Sequence, residues 1–146
     1  MRYLLDTNVI SELRKGSRCD PAVAAWEQAE LIPQGGAVSV ITIGEIRKGI
    51  DLIAQRDPEQ ASRLESWLQG LYPNFAARIL PITTDVAEEW GRLNAKRPLP
   101  AVDSLLAATA TVRGLILATR NVSDLRDVGV RAVNPFEFAE SKPGRS

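Results

Sequence analysis

Four acidic residues stand where the chain changes from one local pattern to another: Asp6, Glu45, Asp103 and Asp124. Asp6 ends the apolar run Tyr3-Leu4-Leu5, and Glu45 comes soon after the β-branched run Ala37 to Ile41. Asp103 leads into an almost wholly apolar segment, and Asp124 closes the polar stretch that follows Leu115 to Ala118. Taken singly, each reads better as a helix cap or as a first-turn acid facing the helix dipole. Four of them in one crevice would be hard to explain as caps. Carboxylates within a few ångströms repel one another and must either take up protons or share a cation. An all-oxygen donor set suits Mg²⁺, with Mn²⁺ as a possible substitute, and not zinc. The chain has no histidine, which removes Ser/His/Asp and Cys/His mechanisms and the usual His-rich zinc sites. The economical chemistry left is a hydrated divalent ion that activates water and screens a phosphate.

To gather these acids, the chain must alternate strands with helices. Tyr3 to Leu5 reads as a buried strand that hands over at Asp6 to a helix carrying Val9 and Ile10. Asp20-Pro21 opens a helix through about Glu30, and Pro33 to Gly36 breaks the chain before a second strand, Ala37 to Ile41. A helix from Ile43 carries the stripe Ile43, Ile46, Ile50 and Ile53, with Glu45 on its flank in the first turn. Asp57-Pro58 starts another helix, with Leu64, Trp67, Leu68 and Leu71 on one face and a stop between Gly70 and Pro73. Together these two helices read as an αα-hairpin, a shape that often presents a partner surface. Ile79-Leu80 is a short strand, and Thr84-Asp85 caps a helix with Val86, Trp90 and Leu93. Beyond Pro98-Leu99-Pro100, Ala101 to Val112 reads as a helix buried all round that ends at Gly114. Leu115 to Ala118 and Ala132 to Pro135 supply the last strands, and 141–146 reads as a frayed tail. The fold class is therefore α/β, a short parallel sheet with helices on both faces. Its ligand crevice belongs at the carboxyl ends of the strands, beside the four acids.

Composition narrows the functional classes. Lys and Arg balance Asp and Glu, giving zero formal charge, so bulk attraction to nucleic acid or an anionic membrane is not indicated. Acids gathered at a metal would offset bases elsewhere, so a nucleic-acid substrate stays open. The single cysteine, Cys19, cannot form an intrachain disulfide, and the opening apolar run is interrupted at Asp6, too early for a signal peptide. A cytoplasmic protein is the expectation. No apolar run approaches the roughly 20 residues of a membrane helix.

Four segments carry a resemblance to a known family. Leu5-Asp6-Thr7-Asn8, Ile43 to Gly49, Asp103 to Ala110 and Thr119 to Asp124 resemble, in order and spacing, the signature segments of the PIN domain. In detail the chain is similar to VapC-type toxins of bacterial toxin–antitoxin pairs, particularly the FitB-like branch, which shares the Gly44-Glu45-Ile46-Arg47 and Thr119-Arg120-Asn121 wording. The match runs from about Tyr3 to Phe138, with a domain expected over 1–140. Leu125 departs from the pattern, taking a place often held by Phe.

The resemblance implies a three-layer PIN-like fold and a Mg²⁺-dependent endoribonuclease inhibited by an antitoxin. Asp6 and Asp103 correspond to the principal metal ligands, Glu45 to the third acid and Asp124 to the more variable fourth. Thr7 and Asn121 match polar residues that hold the site or its water. Arg47, Lys48 and Arg120 are candidates for contact with RNA phosphate or with antitoxin, or are solvated surface charge. The expected partners are the cognate antitoxin, RNA, DNA only indirectly through the antitoxin, and a second copy in a homodimer. Two other readings stay open. One is an antitoxin-binding, dimerising module of a DNA-bound regulatory complex with weak nuclease activity. The other is a phosphohydrolase acting on small phosphate esters, although no Gly-rich phosphate loop supports it.

Overall fold

A computed structural model describes residues 1–139; the tail expected over 141–146 lies outside the described residues. Five short strands, β1 (Tyr3–Leu5), β2 (Gly36–Ser39), β3 (Ile79–Leu80), β4 (Ile116–Ala118) and β5 (Ala132–Val133), form one sheet in the order β3-β2-β1-β4-β5. Every neighbouring pair is parallel. The connecting helices are α1 (Thr7–Leu13), α2 (Pro21–Trp26), α3 (Ile32–Gln34), α4 (Val40–Ala54), α5 (Pro58–Phe75), α6 (Thr84–Lys96), α7 (Ala101–Arg113) and α8 (Ser123–Asp127).

Strand alternation divides the core into two layers. Leu4 and Leu117 point to the face covered by α6 and α7, where they meet Leu93, Leu106 and Ala107. Tyr3, Leu5 and Val38 point to the other face, where α1, α2, α4 and α5 bring Val9, Trp26, Ile46 and Leu68. Trp26 packs edge-on against Tyr3 with ring centroids 5.0 Å apart. The three-layer arrangement expected from the strand–helix alternation is the one observed.

Several boundaries differ from expectation, each for a local reason. The second strand stops at Ser39, because its hydroxyl accepts from Ile41 N at 3.0 Å and so caps a helix that starts at Val40. Glu45 consequently lies in the second turn of α4, beyond the reach of a first-turn dipole role. Pro33 breaks nothing: α2 continues through a π-wound stretch, Glu27–Leu31, into α3, and the turn comes at Gly35 with φ 81°. Likewise α5 runs past Gly70 and Pro73 to Phe75 and ends where Ala76 takes φ 44°. Pro73 lacks the N–H that would bond to Gln69 O, and the helix ends two residues beyond it.

The topology locates the crevice. From the central β1 the chain builds β2 and β3 on one side, then returns through α6 and α7 to lay β4 and β5 on the other. The order therefore reverses between β1 and β4, the switch point at which open α/β sheets hold ligands. Asp6 N donates to Ala118 O at 3.0 Å, so the carboxyl ends of these two strands are tied together at that point. Glu12, a further buried acid, is used structurally: Lys15 Nζ and Asp20 N each donate to it at 2.9 Å, pinning the turn from α1 to α2. Those donors hold its carboxyl below the ordinary range.

Candidate active site

Asp6 follows β1 directly and is only 6% exposed, an unusual place for a carboxylate. Its Oδ1 accepts from Thr7 N at 2.6 Å and its Oδ2 from the hydroxyl of Thr119, at the end of β4, at 2.7 Å. The first bond is the helix cap that a bland reading of Asp6 requires. The second crosses the switch point and has nothing to do with capping. Burial pushes the Asp6 carboxyl above the usual range, the bonds from Thr119 and Thr7 pull it back, and the nearby charges of Asp103 and Glu45 raise it further.

The same hydrogen-bond chain extends both ways. On one side Thr119 Oγ1 accepts from Asn121 N at 3.2 Å, and Asn121 Nδ2 donates to Asp103 Oδ2 at 2.9 Å. On the other, the Thr7 hydroxyl donates to Glu45 Oε1 at 2.5 Å. Three of the four acids thus hang on one network, Asp103, Asn121, Thr119, Asp6, Thr7 and Glu45 in turn. Asp103 is the third residue of α7, whose cap position is Pro100 with no capping side chain, so the cap reading of Asp103 does not apply. The fourth acid is placed differently. Asp124, in the first turn of α8, accepts from Arg97 at 2.9 Å with 41% of its side chain exposed.

Thr119 is the residue that sequence reasoning passed over. Its position just after an apolar run was visible, but its role depends on β4 lying next to β1, which is a property of strand order. The basic candidates lie in three different settings. Arg47 forks onto Glu65 of α5 at 2.7 and 2.8 Å, and this guanidinium holds the Glu65 carboxyl down to about 2. Arg120 lies over the Phe136 ring at 3.7 Å. Lys48 is exposed.

Among the described residues, no three acid side chains are gathered tightly enough to hold one ion unaided. The donors present nevertheless suit a hard cation that keeps part of its water. They are all oxygen, Asp6 is buried under the charges of two other acids, and Mg²⁺ is commonly held by one or two carboxylates with water completing the octahedron. Asp103 Oδ1 and Glu45 Oε2 take none of the described hydrogen bonds and remain available for such a shell. Among the described residues, no basic side chain hydrogen-bonds to the network.

Comparison with known proteins agrees with this architecture. The PIN-domain family model matches residues 3–130. The chain is 35% identical over 142 residues to the VapC ribonuclease Y4jK of Sinorhizobium fredii, covering 93% of this chain and 99% of that protein. In structure it is similar to FitAB bound to an IR36 DNA fragment, with a TM-score of 0.81, 29% identity, and coverage of 96% of this chain and 99% of that one. It also resembles a toxin–antitoxin complex from Klebsiella pneumoniae, with a TM-score of 0.63, 29% identity, and coverage of 91% and 97%. Among the described residues no helix is long and apolar enough to cross a membrane.

Proposed function

Since this chain belongs to the PIN-domain family, we propose that it is the toxin of a toxin–antitoxin pair and a Mg²⁺-dependent endoribonuclease. The observation that carries this reading is the network that holds Asp6, Asp103 and Glu45 at the switch point, with Thr119 and Asn121 bridging two of them. Asp6 and Asp103 would hold the ion, Glu45 is the third acid, and Asp124 stands by as a fourth. When bound, the ion supplies a Lewis acid for the phosphodiester and lowers the pKa of a coordinated water. The protein's share is positional. Thr119 and Thr7 fix both oxygens of Asp6, Asn121 turns Asp103, and Thr7 leaves Glu45 with one oxygen able to take a proton from water. Incubating the partner-free protein with total RNA tests this: cleavage with Mg²⁺ and none with a chelator is expected, and equal cleavage in both defeats it.

The partner reading rests on a groove beside the acids. A cavity of about 280 Å³ lies elsewhere, by Leu31 and Arg78, but one of about 200 Å³ between α1, α4 and α5 shares Thr7 and Glu45 with the network. Its walls are Ile46, Ile50, Ile53, Leu64 and Trp67, a surface suited to an apolar antitoxin segment. DNA is then reached through the antitoxin, as the similarity to a DNA-bound assembly supports. Gly49 lines this groove, and a Cβ there would meet nothing within 4 Å. Gly49→Leu should therefore fill the groove without disturbing the fold, and helix propensity should even favour it by roughly 0.5–1 kcal/mol. Loss of co-purification with the antitoxin at an unchanged or higher melting temperature is expected. Undiminished co-purification would place the antitoxin elsewhere.

A further inference from the structure

Arg97 sits in the link between α6 and α7 and spans two acids of α8, donating to Asp124 Oδ1 at 2.9 Å and to Asp127 Oδ2 at 3.1 Å. Nothing in its sequence neighbourhood marks it. The link runs on through Pro98-Leu99-Pro100 into α7, and Leu99 N is held by Asn94 Oδ1 at 3.1 Å, so the segment is fixed to the end of α6. Asp103 is the third residue of α7, and the loop leading into α8 delivers Asn121 to Asp103. Arg97 and Asp124 thus belong to two walls that meet at Asp103. Asp124 is held at this junction by a guanidinium and has no bond to the acid network.

Resting on the metal-dependent reading above, we propose that Arg97 is a positioning residue that competes with the divalent ion for Asp124. The geometry supplies the three things such a competitor needs. Its pair with Asp124 is about half exposed on both sides, 47% and 41%, a setting in which ion pairs are weak and open readily. Its second bond, to Asp127, keeps the guanidinium in place and partnered when Asp124 leaves. Asp124 itself sits one short loop beyond Asn121, on the wall that already touches the site. Asp6 and Asp103 would hold the ion first, and Asp124 would join only as Arg97 releases it.

Binding of Mn²⁺ to the purified whole chain, followed by electron paramagnetic resonance of the free ion, tests this without any activity assay. Arg97→Gln should bind Mn²⁺ about three- to fivefold more tightly than the parent, the range a weak pair allows. Arg97→Lys, which keeps the charge but loses the fork, should fall between. Adding Asp124→Asn to Arg97→Gln should cancel the gain. A gain that survives Asp124→Asn is a general charge effect and overturns the proposal. So does parental affinity in Arg97→Gln, or in Arg97→Lys if the Gln variant does not fold by circular dichroism. Binding that Asp103→Asn abolishes but Arg97→Gln leaves unchanged defeats this inference alone. No saturable binding in the parent, or binding indifferent to Asp103→Asn, defeats the metal-dependent reading and this inference with it.

Discussion

Asp103→Asn, folded by circular dichroism, should cleave RNA in Mg²⁺ roughly a thousandfold more slowly than the parent. The substitution preserves the shape of the side chain, and Asn121 Nδ2 can still donate to an amide oxygen where it now donates to Asp103 Oδ2. What is lost is charge, and a hard cation depends on charged oxygen for its hold. Lewis-acid assistance is worth several kcal/mol of transition-state stabilisation, and about 4 kcal/mol corresponds to that thousandfold. Asp6→Asn should behave alike. Thr119→Val should cost less, about ten- to a hundredfold, because it removes a hydrogen bond that orients a ligand and leaves the ligand's charge in place. The gradation is the informative part. Equal losses in Asp103→Asn and Thr119→Val would mean that local folding is being read, and a parental rate in either Asp variant would remove the acids from the chemistry.

Asp6 was legible because an apolar run that stops at an acid and resumes after three residues marks a strand-to-helix junction whatever the rest of the fold. Asp103 could be placed at the head of a buried helix for a similar reason, the break at Pro98-Leu99-Pro100. Their union was less accessible. It depends on β4 returning to lie beside β1, which puts Thr119 against Asp6 across 113 positions of sequence. Periodicity carries no information about such a return, and only the ordered set of motif segments pointed to it. Glu45 shows a different limit. Its helix was expected to begin at Ile43, but the Ser39 cap moves the start to Val40, and a shift of three residues turns a plausible dipole partner into a second-turn side chain facing Thr7. The pairings of Arg47 and Arg97 fall outside sequence reasoning for a third reason. Arg47 of α4 pairs with Glu65 of α5, and Arg97 of the α6–α7 link pairs with Asp124 of α8, and which acid an exposed cation finds depends on how separate elements face each other.

A second large effect follows from electrostatics alone and needs no substrate. The folded-state pKa of Asp6 is raised, chiefly by burial and further by the charges of Asp103 and Glu45. A carboxyl raised in this way favours folding below its unfolded value, about 3.9, and that contribution is lost as pH rises through the folded value. At pH 7 without metal the ionised Asp6 therefore weighs against the fold. Asp103→Asn removes one of the two charges that add to the effect of burial and keeps the bond from Asn121, so in chelator the variant should melt modestly higher than the parent at pH 7. The gap should narrow as pH falls through the raised folded value of Asp6 and that carboxyl takes up its proton. Magnesium should invert the order. A ligand bound only to the native state adds RT ln(1 + [L]/Kd), about 2.7 kcal/mol at a hundredfold excess over Kd, and the parent would receive far more of it than the variant. A purely structural role for Asp103, as the acceptor for Asn121, would give no such crossing, since Asn can still accept that bond and no repulsion is relieved. Melting both proteins at pH 7, in chelator and then in Mg²⁺, decides between these: equal melting temperatures in both conditions would sink the shared-cation site, and the crossing identifies Asp103 as one of the groups that makes Asp6 depend on metal.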